Sequence, residues 1–212
     1  MILAEELLLL SIESKTGAIR NLNLVKAGLA AGILMDLEFV GAIQVADGVL
    51  RTDDEVPIKD EIPLHARKII SAADFSGDAR EWTTQLANRF KNLSESVINR
   101  LVKNRLVDIQ EKRTLGLMPR VRYPIVNDDQ QAGVRGRIRA AIIAGSPPDR
   151  RTTALIRLLR ACDLLETILT ADELKANGKR LNQILTDQTR PDLYGADPKL
   201  LADAVAAAAS AI

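Results

Sequence analysis

Few residues in this chain are equipped for covalent or acid–base chemistry. One histidine (His65) and one cysteine (Cys162) are present, so a Cys/His zinc site lacks ligands and no intramolecular disulfide can form. The spacings of a phosphate-binding loop, a dinucleotide fingerprint, a zinc-protease helix and a nucleophile elbow do not occur. His65 lies in a proline-bounded segment with no serine or cysteine patterned near it and reads as a surface or capping residue. Cys162 sits in LLRACDLLETIL on a continuous apolar helix face, which suits a structural thiol. The adjacent acids Glu5/Glu6 and Asp53/Asp54/Glu55 read as helix caps and a solvated loop. The expectation is a protein without catalysis, metal or cofactor.

The chemistry that the sequence does concentrate is electrostatic. From Arg89 to Tyr123 run Arg89, Lys91, Arg100, Lys103, Arg105, Lys112, Arg113, Arg120 and Arg122, against Glu95, Asp108 and Glu111. Between Arg89 and Arg160 there are 16 Lys/Arg against six Asp/Glu, a balance of +10. The rest has 13 against 22, a balance of −9, and the two recover the net charge of +1. Such a split can build one positive face that attracts an anionic surface; the plainer reading is a mosaic surface with a local imbalance.

The elements that must position these charges follow from periodicity. Aromatic residues are only 3% of the chain, so the core must be Leu, Ile, Val and Ala, which favours helices. An apolar helix is expected over 2–10 and a central one over 22–40, where Leu22, Val25, Leu29 and Ile33 recur every three or four positions. Ala27, Gly28, Ala31 and Gly32 leave room there for a close neighbour, and Gly41 ends the helix. Asp47-Gly48 marks a hairpin over 42–52, and the segment 53–63, with Pro57 and Pro63, is a loop. Helices are expected over 64–73, 79–90 and 94–104, the last capped by Ser94 and Ser96 oxygens. A second hairpin spans 106–123, and helices follow over 128–144, 149–169, 172–186 and 198–212. The fold class is mainly α, a single compact helical domain over 1–212 with a central apolar helix and small β-hairpins. No stretch reaches the roughly 18 apolar residues of a membrane span, and no signal peptide is recognisable. The protein is expected in the cytoplasm, touching membrane from one side.

Two surfaces compete for the basic tract. A helix over 79–90, a second over 94–104 and a hairpin also describe a winged helix, in which Arg100, Lys103 and Arg105 would contact nucleic acid. The hairpin tip Leu115-Gly-Leu117-Met118 argues against phosphate contact, because exposed Leu and Met are costly unless protein or lipid covers them. Beside Lys112, Arg113, Arg120 and Arg122, such a tip suits an anionic bilayer, where each basic side chain contributes about 1 kcal/mol. A neighbouring subunit packed on the tip, giving a homo-oligomer, is the other reading.

Four segments, LAEELLLLSIESKTG at 3–17, AGLAAGILMDLEFVGAI at 27–43, LVKNRLVDIQEKRTLGLMPRVRYPI at 101–125 and DRRTTALIRLLRACDLLETIL at 149–169, occur together and in order. In this the chain resembles the Golgi phosphoprotein 3 family of phosphoinositide-binding peripheral proteins, and it looks like a bacterial member that opens directly on the first motif. The resemblance implies a largely helical domain, binding to phosphatidylinositol 4-phosphate and, in eukaryotic members, to the cytoplasmic tails of glycosyltransferases. The family's headgroup pocket uses a tryptophan that falls here at Asn21 or Leu22 and a helix arginine that falls at Ala30. Its two further arginines fall at Lys91 and Ser94. Only Lys91 keeps a charge, as a point donor where arginine would present a fork. Arg20 and Lys26, close by on the same helix approach, offer partial replacements, so Arg20, Lys26, Lys91 and Ser94 form the candidate headgroup site. The family's hairpin, which enters the membrane or joins subunits, matches Gln110–Val121.

Overall fold

The structure, a computed structural model, describes residues 1–112, 120–187, 189, 193–195 and 197–212. Arg113, Leu115, Leu117 and Met118 of the hairpin lie outside the described residues, and Lys112 and Arg120 are described as strand backbone only.

Two helices lie at the centre. All nine residues of α1 (Leu3–Ser11) are buried, and α2 (Leu22–Phe39) is buried continuously from Ala27 to Leu37. Helices apolar around their whole circumference must be enclosed, and four others close on them: α4 (Ala79–Arg89), α5 (Leu93–Lys103), α7 (Arg150–Ala161) and α10 (Pro198–Ala211). The small residues of α2 permit the close crossing that the sequence suggests. A Cβ at Gly28 would stand 2.4 Å from Cys162 Sγ and 2.9 Å from Leu7 Cδ2, so α1, α2 and the end of α7 meet where only hydrogen fits. Leu, Ile, Val and Ala supply nearly all of the core, with Trp82 buried edge-on to Phe75.

Around this centre lie α3 (Glu61–Ser71), α6 (Asp129–Ile142), α8 (Ala171–Ala176) and α9 (Gly178–Leu185). Asp60, Asp78, Asp149, Thr170 and Asp197 cap α3, α4, α7, α8 and α10 by accepting bonds from first-turn N–H groups. The first hairpin pairs β1 (Ile43–Ala46) with β2 (Val49–Thr52), turning through Asp47 and Gly48, both at positive φ as a type I′ turn requires. The second pairs β3 (Gln110–Lys112) with β4 (Arg120–Arg122), Glu111 opposite Val121. Its base is fastened to the body by the Val107–Ile125 bridge and by Tyr123 N–H donating to Gly17 O at 2.7 Å.

Three expectations need correction. The helix from 149 stops at Ala161 instead of running to 169, because Asp163 adopts a left-handed conformation and a short 3-10 turn (Leu165–Thr167) follows. The helix over 172–186 is two helices parted at Asn177, whose amide turns back to Glu173 O. Ser94 does not cap α5; it is the second helical residue, and the Asn92 side chain at the cap position makes no cap bond.

Glu5 caps α1 as expected, but Glu5 and Glu6 are both buried, being 2% and 4% exposed. Glu5 Oε2 accepts from Ile2 N–H, and its Oε1 accepts from Arg100 at 2.8 Å. Glu6 is paired with Arg137 at 2.8 Å and Arg151 at 3.3 Å, and Arg151 also reaches Asp36 at 3.1 Å. With Arg139–Glu173 and Arg150–Glu38, much of the positive balance of the 89–160 tract is met by acids from elsewhere in the chain. At Glu5, Glu6 and Asp36 the charge is turned inward, where carboxylates cannot be buried without partners.

Candidate functional site

A cavity of about 480 Å³ opens between the start of α2, the first turns of α5 and the strand β4. Leu8 of α1 and Val25 and Leu29 of α2 close its floor, all of them 1% exposed or less. Its rim carries Lys26, Ser94, Glu95, Arg122 and Tyr123, and Leu22 and Val121 stand there 45% and 44% exposed. An apolar floor with a few polar groups around it is the usual make-up of a small-molecule site.

The candidate residues are placed unevenly. Lys26 and Ser94 share the cavity, and both also border a recess of about 60 Å³ whose lining adds Lys91. Arg20 is outside both linings, and its Nε donates to Glu13 Oε1 at 3.1 Å. Hydrogen bonds from Thr16 and then Arg20, with a smaller contribution from the Arg122 charge, hold the Glu13 carboxyl below its ordinary range. Ala30, where the resemblance puts an arginine, is fully buried. Asn21, one of the two tryptophan positions, sits at φ 48° and spends its amide on Cys162 O at 3.1 Å and Asp163 O at 2.9 Å. Leu22, the other, is the exposed apolar residue at the cavity mouth.

Arg122, Tyr123 and Glu95 were not recognised as cavity residues from sequence. For Arg122 the signal was alternation along β4, a strand of three residues, which is too short to assign a face; Tyr123 follows the strand, and Glu95 lies on α5 beside Ser94. Both α2 and α5 begin at this cavity without a side-chain cap, so part of the positive end of each helix is directed there. Lys26 and Arg122 have no carboxylate within ion-pair distance among the described residues. Burial, and then the nearby Glu95 charge, push the Tyr123 phenol up, so it stays a neutral hydroxyl at physiological pH.

Other candidate groups are engaged differently. Arg100, a nucleic-acid contact in the winged-helix reading, is bound between Glu5 and Asp60, and α5 packs on α1. His65 is exposed and sets its ring edge-on to Phe90 at 4.6 Å between centroids. Cys162 is buried, and burial pushes its thiol up to about 12. Among the described residues no three His, Cys, Asp or Glu side chains gather as metal ligands, and no helix is long and apolar enough to cross a membrane.

No curated protein matches the chain at significant similarity. The family model of Golgi phosphoprotein 3 (GPP34) does match, over residues 3–212. With the helical architecture and the order of motifs, that match over nearly the whole length means that the chain belongs to the Golgi phosphoprotein 3 family.

Proposed function

We propose that this protein is a non-enzymatic peripheral membrane or adaptor protein that engages anionic phospholipid through the α2/α5/β4 cavity and the adjoining hairpin. One observation carries the reading: two cations without ion-pair partners among the described residues, Lys26 and Arg122, share a cavity rim with the exposed apolar side chains of Leu22 and Val121. Cations favour an anionic leaflet by about 1 kcal/mol each, and apolar side chains at the same surface add the gain of leaving water. Weak, reversible and salt-sensitive association follows. Arg122 stands at the end of the hairpin strand and in the cavity rim at once, so headgroup contact and hairpin contact belong to one surface.

The burial of Ala30, and Asn21 or the aliphatic Leu22 in place of the tryptophan, favour a headgroup preference different from phosphatidylinositol 4-phosphate. Flotation on vesicles of phosphatidylinositol 4-phosphate, phosphatidylinositol or phosphatidylglycerol, at low and high salt, tests the reading. Retention at low salt that is lost at high salt is expected; no retention on any anionic vesicle at low salt overturns it. Leu117→Asp in the hairpin tip releases the protein from vesicles without unfolding it if the tip inserts. A gel shift with a steep salt dependence would favour nucleic acid instead.

A further inference from the structure

We infer that the cavity selects a phospholipid headgroup carrying a primary ammonium beside its phosphate, the phosphoethanolamine class, with Lys26, Arg122 and Ser94 on the phosphate and Glu95 on the ammonium. The inference rests on the preceding reading, that this cavity holds a lipid headgroup, and goes beyond it by naming the headgroup's charge pattern.

The argument begins with an acid in an unexpected place. A site built only for anions excludes carboxylates, because a like charge within a few ångströms of the ligand repels it. Glu95 nevertheless lines the same cavity as Lys26 and Arg122, and lines the adjoining recess with Lys26 and Lys91. It is exposed and has no Lys or Arg at ion-pair distance among the described residues, so its carboxylate is open to a ligand. It shares the cavity lining with Tyr123, whose phenol feels its charge.

Its position on α5 has a second effect. Glu95 is the acid of the first turn, where a carboxylate satisfies the positive end of the helix. The start of α5, although it has no side-chain cap, is therefore a weaker attractor for an anion than it would be without that acid. The phosphate is left to Lys26 and Arg122, with the Ser94 hydroxyl as a neutral donor. Arg20 adds little, because Glu13 holds it. Two cations and one carboxylate, none with an ion-pair partner among the described residues, match a phosphate with an ammonium a short linker away. A headgroup bearing several phosphates would bring part of its charge against Glu95.

Tyr123 completes the match. Its phenol remains neutral, and its oxygen, like the Glu95 carboxylate, can accept an N–H, which a primary ammonium carries and a quaternary one lacks. Leu22 and Val121 at the mouth then face the glycerol and upper acyl region.

The test compares the full chain on two vesicle types of equal phosphatidylglycerol content, one filled out with phosphatidylethanolamine and the other with phosphatidylcholine. The surface charge is the same, and a primary ammonium that can donate hydrogen bonds is set against a quaternary one that cannot. The wild type is expected to be retained more strongly on the phosphatidylethanolamine vesicles. Glu95→Gln is expected to abolish that difference while strengthening retention on pure phosphatidylglycerol roughly fivefold, the factor for one unit of charge near an anionic leaflet. Glu95→Asp, which keeps the charge, is expected to keep the preference. Equal retention of the wild type on both mixtures overturns the inference, as does a preference that survives in Glu95→Gln. Retention that is salt-sensitive but indifferent to the ammonium overturns the headgroup assignment alone. Absence of retention on every vesicle overturns the lipid reading itself.

Discussion

Arg100 Nε donates to Glu5 Oε1 at 2.8 Å, joining α5 to α1 across 95 positions of sequence, and the same guanidinium reaches Asp60 Oδ1 at 2.5 Å. Glu5 is nearly inaccessible, so its charge is tolerable only while Arg100 is there. Breaking a buried pair from one side leaves an uncompensated charge, at about 3–5 kcal/mol. Arg100→Leu should lower unfolding stability by that order in urea denaturation. Glu5→Leu combined with Arg100→Leu should cost clearly less than the two single changes added together. An additive double variant would mean that the two side chains do not depend on each other.

Asp36 gives stability a pH dependence opposite to that of most carboxylates. Burial raises its pKa to about 6, against the opposing pull of Arg151 and the Leu3 N–H. Between about pH 4 and pH 6 the folded chain holds a proton that the unfolded chain has released. This group's contribution is therefore full below that window and is lost as pH rises through it. Asp36→Asn should gain on the wild type by on the order of 2–3 kcal/mol between pH 4 and pH 7 in paired urea titrations. A stability difference that stays flat with pH would contradict the assignment.

Gly28 is a matter of space. A methyl group there meets Cys162 Sγ and Leu7 Cδ2 inside contact distance, and overpacking of this kind costs about 1–3 kcal/mol. Gly28→Ala should lower the thermal midpoint, and adding Cys162→Ala should recover most of the loss. If Cys162→Ala only adds to the damage, the crossing is limited by another contact.

The same thiol reports on opening of the fold. With Cys162 buried and its thiol pushed up to about 12, a thiol-specific disulfide reagent at neutral pH should react only when the core opens. The labelling rate should stay low across the native baseline of a urea titration and rise with the unfolded fraction. Rapid labelling without denaturant would show a local opening at the end of α7.

Membrane retention should depend on two particular charges and not on basic residues in general. Lys26→Glu or Arg122→Glu should each weaken low-salt retention on phosphatidylglycerol vesicles roughly tenfold or more, since each changes the local charge by two units. Lys103→Glu, at the far end of α5, should change it little. Equal losses in all three variants would point to a diffuse field rather than to the cavity.

The architecture was legible from the sequence because its signals are local. The apolar run of α1, the small-residue pattern of α2, Asp47-Gly48, and the breaks at Gly41 and Gly145-Ser-Pro-Pro148 each constrain the residues beside them. Where the reading failed, the deciding partner was distant. Asn21 holds the carbonyls of Cys162 and Asp163 beyond the end of α7, from more than 140 positions away. Glu5 and Glu6 looked like ordinary first-turn acids until Arg100, Arg137 and Arg151 came to them. The candidate site was half legible for the same reason. Lys26 and Ser94 came from motif positions, whereas Arg122, Tyr123 and Glu95 join them only through the packing of β4 beside α2 and α5.

Gly17 lies where a side chain would strike the backbone of Tyr123 and Pro124 at 3.0 Å, and its carbonyl takes the Tyr123 N–H at 2.7 Å. The turn ahead of α2 and the foot of the hairpin are thus joined backbone to backbone, by one hydrogen bond and a contact with no room for a side chain. The consequence is kinetic: a surface held by both the cavity and the hairpin base should be released in a single exponential phase, with one lifetime for the pair.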